Sequence, residues 1–60
     1  MDTLENRARQ MLIASVRTRI ETTEECIDNF ALPQYVIELL QQDINMQKAL
    51  LGHLEKGGAL

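Results

Sequence analysis

Sixty residues, 45% hydrophobic, with net charge −3, one cysteine and one histidine, describe a single small domain. A chain this short buries only about 60% of the surface its unfolded form exposes, so such scaffolds add disulfides, a metal or a partner chain. Cys26 alone excludes an internal disulfide, and Cys26 with His53 makes no zinc ligand set, which leaves oligomerisation.

Helix formers dominate and no strict alternation persists, so an all-α chain is predicted, a helical hairpin within one domain, 1–60. The first helix is expected over residues 3–22. Asp2 or Thr3 can cap it, and Asp2 with Glu5 has capping-box spacing. At about 100° per residue, Leu4, Ala8, Met11, Leu12, Val16 and Ile20 share one face, with Ile13 at its edge. Asn6, Gln10, Arg17 and Glu21 lie opposite, which makes the helix amphipathic.

An end or kink is predicted at residues 21–23. Carried on to Asp28, the helix would crowd Glu24, Glu25 and Asp28 at its C-terminus, where the macrodipole disfavours them. Thr22 and Glu25 also repeat the capping-box spacing, a start signal. A connector over 23–32 would follow, holding a short helical turn with Ile27 and Phe30 as buried anchors. The alternative is an unbroken helix to Ile27, because Thr23 and Ile27 continue the face of Ile20.

Pro33 reads as the start of the second helix. In a helix interior it would cost about 3 kcal/mol. At the first helical position its missing N–H is no loss, and Leu32 before it is pushed out of the α region, as an N-cap requires. This helix is expected over 33–56, with Lys56 suited to its C-terminus and Gly57-Gly58 as a left-handed stop. Residues 57–60 are expected to fray.

The second helix carries two apolar seams. Ile37, Leu40, Ile44, Leu51 and Leu54 follow an a/d pattern with Gln47 inside it. Val36, Leu39, Met46 and Leu50 form the other, with Asp43 inside and Tyr35 and His53 flanking. Together they span roughly 200° of the wheel, more than one neighbouring helix covers. The first helix covers one seam; the other would face water in a monomer, as interface patches do. A homodimer forming an antiparallel four-helix bundle is the simplest closed arrangement. Its expected interface is Val36, Leu39, Leu40, Asp43, Met46, Gln47, Leu50 and Leu54. Asp43 and Gln47 either set the register of that seam or sit solvated at its edge. A buried Asp43 needs a cation, and Arg9 and Arg19 are the candidates.

Enzymatic chemistry has little support. His53 and Cys26 fall near opposite ends of a hairpin, so no activated nucleophile is expected, and no calcium-loop spacing accompanies the carboxylates. No cofactor, metal or small-molecule substrate is expected. Charge is uneven: +2 over residues 1–20, from Arg7, Arg9, Arg17 and Arg19 against Asp2 and Glu5, and −5 over 21–60. That asymmetry admits nucleic-acid binding by a dimer, but the arginines point in different directions and there is no aromatic platform. The expected function is therefore a non-enzymatic protein interaction module, with Glu21, Glu24, Glu25 and Asp28 docking a basic partner surface, and a nucleic-acid-associated regulator using the Arg-rich first helix in a dimer is the alternative. No run approaches the roughly 18 apolar residues of a membrane span, and no signal peptide is apparent, so a cytoplasmic protein is expected.

With "RARQMLIASVRTRI", the link "CIDNFALP" and "YVIELLQQDINMQKALLGHL", the chain resembles in size and build the small helical accessory proteins from the early region of lambdoid phages. The resemblance implies a modulator of host or phage regulation that acts through protein contacts. It carries no shared site motif, so it assigns no functional residue.

Overall fold

The computed structural model describes residues 3–57, which form an all-α helical hairpin. Helix α1 spans Leu4–Asn29 and helix α2 spans Gln34–Glu55. Thr3 caps α1: its hydroxyl accepts the Asn6 N–H at 3.0 Å. Such a cap stabilises by about 1 kcal/mol. Asp2, and with it the expected pairing to Glu5, lies outside the described residues.

The expected break at residues 21–23 does not occur. Thr22, the expected cap, is an exposed residue inside α1, and the next hydroxyl, of Thr23, donates to the Arg19 carbonyl at 2.8 Å within the helix. Running on to Asn29 also leaves Asp28 as the acidic residue of the last turn, with Glu24 and Glu25 behind it. The macrodipole penalty is then about 0.3–1 kcal/mol, because it falls off within one turn. Half-burying Ile27 against the core returns about 1 kcal/mol, and Cys26 is half-buried beside it.

The connector is therefore only residues 30–33. Phe30 ends α1 in an extended conformation, φ −124° and ψ 143°, with its N–H on the Cys26 carbonyl at 3.3 Å. The expectation of Phe30 as a buried anchor is overturned: it is 65% exposed, because the extended backbone turns it off the end of the hairpin. The Leu32 N–H returns to the Phe30 carbonyl at 3.0 Å, a tight three-residue turn.

Helix α2 begins one residue later than expected, at Gln34, with Pro33 and not Leu32 as its N-cap. The Pro33 ψ of 148° is non-helical, and its carbonyl takes the N–H groups of Val36 and Ile37 at 3.0 and 3.1 Å. At the other end Lys56 is the C-cap, and Gly57 adopts φ +80°. A side chain at that φ is strained, whereas glycine is not. The Gly57 N–H closes the helix on the Leu54 carbonyl at 3.1 Å. Residues 58–60 of the expected tail lie outside the described residues.

The helices meet along one seam at alternating spacings of three and four residues. On α1 it runs through Ile13, Val16, Ile20, Thr23 and Ile27; on α2 it is the predicted a/d set from Ile37 to Leu54, Gln47 included. Val16, Ile20, Ile44 and Leu54 are its buried members, with Ile13, Ile27 and Leu51 packed against them. The face of α1 is thus centred elsewhere than expected. Ile13 belongs to the seam, while Leu4, Met11 and Leu12 are exposed. No described side chain is completely buried. The hairpin measures 47 × 16 × 11 Å with a radius of gyration of 14.0 Å. A compact chain of this length would give about 10 Å. It is a single layer, and each helix keeps sides that no second layer covers.

Candidate interaction surface

The two sides of this layer differ, and an ion pair crosses the seam on each. Arg17 and Arg19 are two residues apart, hence about 160° apart around α1, so they leave on opposite sides of the Val16–Ile20 line. Arg19 Nη2 lies 3.2 Å from Asp43 Oδ1, and Arg19 Nε lies 3.4 Å from Oδ2. Arg17, expected to point away from the partner helix, instead reaches across the other side to Glu55. Of the two candidate partners for Asp43, Arg19 is the one used. Arg9 lies 3.9 Å from Glu5 on its own helix.

The side carrying Arg17 and Glu55 is polar. Glu24, Asp28, Gln41, Asn45 and Lys48 surround Ile27 and Ile44 there in a shallow groove between the helices. The side carrying Arg19 and Asp43 is apolar. On α2, at about 100° per residue, Leu39, Met46 and Leu50 project next to Asp43. They are 59%, 69% and 43% exposed. Val36 is half-buried behind them, and Tyr35 and His53 are exposed at the outer edge. On α1, Ala8 and Leu12 lie on the Arg19 side, with Leu4 and Met11 further round. Beside Arg19, the short side chains of Ala14, Ser15, Thr18, Thr22 and Thr23 leave a shallow depression.

The expected interface residues therefore divide. Leu39, Met46 and Leu50 lie exposed on one side, with Val36 and the half-buried Asp43 next to them. Leu40 and Gln47 are half-buried along the intrachain seam, and Leu54 is 3% exposed inside it. Leu54 is thus a core residue of the hairpin and offers nothing to a second chain. The contribution of α1 to the apolar side was missed. Its signal is the doublet Leu12-Ile13: adjacent residues are about 100° apart, so a helix with an apolar side beside its seam shows consecutive apolar residues.

Glu21, Glu24, Glu25 and Asp28 are all exposed on the second half of α1. Cys26 is half-buried near the connector, and His53 is exposed near the far end of α2. Among the described residues no three His, Cys, Asp or Glu side chains converge as metal ligands. No helix among them is long and apolar enough to cross a membrane. No protein-family model, curated protein or solved structure matches the chain.

Proposed function

We propose that this chain is a non-enzymatic protein interaction module, and that it self-associates through the apolar side of its hairpin as a homodimeric four-helix bundle. The observation that carries this reading is the asymmetry of the layer. Leu39, Met46 and Leu50 join Leu12 on one side, while the other side is lined by charged and amide side chains. A helix needs an apolar stripe little wider than about 100° for one neighbour, and α2 exceeds that by a whole second seam. A second layer on that side would bury the surplus and leave the polar side facing water.

The resemblance to phage accessory proteins favours a cytoplasmic role in modulating host or phage regulation through a further protein partner. In the proposed bundle Glu21, Glu24, Glu25 and Asp28 remain outside, available to a basic partner surface. Binding of nucleic acid is the weaker reading. Arg17 and Arg19 already face carboxylates across the seam, and Arg9 lies close to Glu5, which lowers the positive field a phosphate backbone would meet.

Sedimentation equilibrium of the full chain tests self-association. The expected species at micromolar concentration has twice the 6.8 kDa chain mass. A folded 6.8 kDa monomer under those conditions would refute it.

A further inference from the structure

Resting on that reading, we infer that the two copies pack with α1 of each on α2 of the other, so that both connectors lie at the same end of the bundle. Two closed arrangements bring the apolar sides together. In the first the two-fold axis runs along the helices and α1 meets α2 of the second copy. In the second the axis runs across them, α1 meets α1, and the connectors lie at opposite ends. Neighbouring helices are antiparallel in both, so helix dipoles do not choose between them.

Charge does choose. Arg19 and Asp43 touch, so they stand at one level along the hairpin, near the middle of both helices. With the axis along the helices, Arg19 of one copy stands over Asp43 of the other at that same level. The four charges then alternate around a square. With the axis across the helices and the copies fully overlapped, Arg19 faces Arg19 and Asp43 faces Asp43, and like charges juxtaposed in an interface are strongly disfavoured. Sliding the copies apart relieves the repulsion only by uncovering apolar side chains at both ends.

Shape points the same way. Around Arg19 the surface of α1 is a depression edged by Ser15, Thr18 and Thr22, whereas the α2 surface at these levels bears Leu39 and Met46. Large side chains of one copy fill the depression of the other when α1 meets α2. Pairing α1 with α1 sets depression against depression and leaves voids, which interiors packed to crystal-like density do not keep.

The test is a spin-label distance within the dimer. A nitroxide is placed at Phe30→Cys, on the exposed connector, in a Cys26→Ala background; a second variant carries it at Lys56→Cys, at the other end. Adjacent helix axes lie about 8–10 Å apart, so the inferred bundle gives on the order of 20 Å between labels at either site. At about 1.5 Å per residue, connectors at opposite ends give on the order of 40 Å at both sites, which would overturn the arrangement while leaving the dimer standing. Labelled protein that sediments as a monomer would overturn the arrangement together with the self-association beneath it.

Discussion

Replacing Leu39 and Leu50 together by glutamate is expected to abolish self-association. Both side chains are exposed in the hairpin, so the substitution removes nothing from its own seam. In a two-fold dimer each appears twice. Fully burying an exposed leucine stabilises by about 1.5–3 kcal/mol; Leu39 and Leu50 are 59% and 43% exposed, so the four side chains contribute about 3–6 kcal/mol of association free energy. Four carboxylates in their place would have to be stripped of water without a cation in reach. Weakening of at least a thousandfold follows, read by sedimentation as loss of the dimer at all accessible concentrations. The variant should lose helical signal as well, because the seam alone buries so few side chains. Glutamate at Gln41 and Asn45, on the polar side, is the matched control and should leave association unchanged. A Leu39/Leu50 variant that sedimented like the parent would rule the apolar side out.

Truncating Ile44 to alanine is expected to act on folding itself. Ile44 is 6% exposed at the middle of the seam, with Val16, Ile20 and Leu54 as its fellow core members. Large-to-small changes at such positions cost about 2–5 kcal/mol. Whole small domains hold only about 5–15 kcal/mol, so this is a large share. The midpoint of a circular-dichroism melt should fall by on the order of 10–40 °C, at about 4–8 °C per kcal/mol for a domain of this size. Leu50→Ala should instead act through association, with its effect growing as the protein is diluted. Equal, concentration-independent losses for both variants would contradict the division between intrachain seam and outer face.

These expectations rest on parts of the chain that were unequally legible. The limits of α2 were readable within one residue, because Pro33, Lys56 and Gly57 each act through fixed local geometry. That α2 carries two seams was readable as well, but not which of them faces α1: Leu40, Gln47 and Leu54 were expected at an outer interface and lie in the intrachain seam. The end of α1 was not readable. Thr22 with Glu25 looks like a cap in isolation, and the half-burial of Ile27 appears only once α2 lies alongside.

The rotation of α1 about its axis was misjudged for a related reason. Averaging Leu4, Met11 and Leu12 with Val16 and Ile20 merges two faces, and only packing separates them. On the surface itself, Arg19 emerged as one of two possible partners for Asp43 from the wheel alone. Its selection over Arg9 is a matter of level: the turn at residues 30–33 sets Arg19 opposite Asp43, whereas Arg9 stands ten residues, about 15 Å, further along α1. Asp43, which breaks an otherwise apolar stripe, thereby has a definite place: it pairs with Arg19 across the seam, at one level of the two helices. In the inferred bundle it does the same for two chains.

In the proposed assembly the hairpin is half of a core, completed by a second copy. The concentration dependence of thermal unfolding measures this most directly. For a dimer, dissociation and unfolding are coupled by mass action. At about 0.7 kcal/mol of unfolding enthalpy per residue over two chains, a hundredfold rise in protein concentration should raise the melting midpoint by on the order of 10 °C. A cooperative melt whose midpoint stays constant across that range would show a hairpin that folds alone, with no second copy in its core.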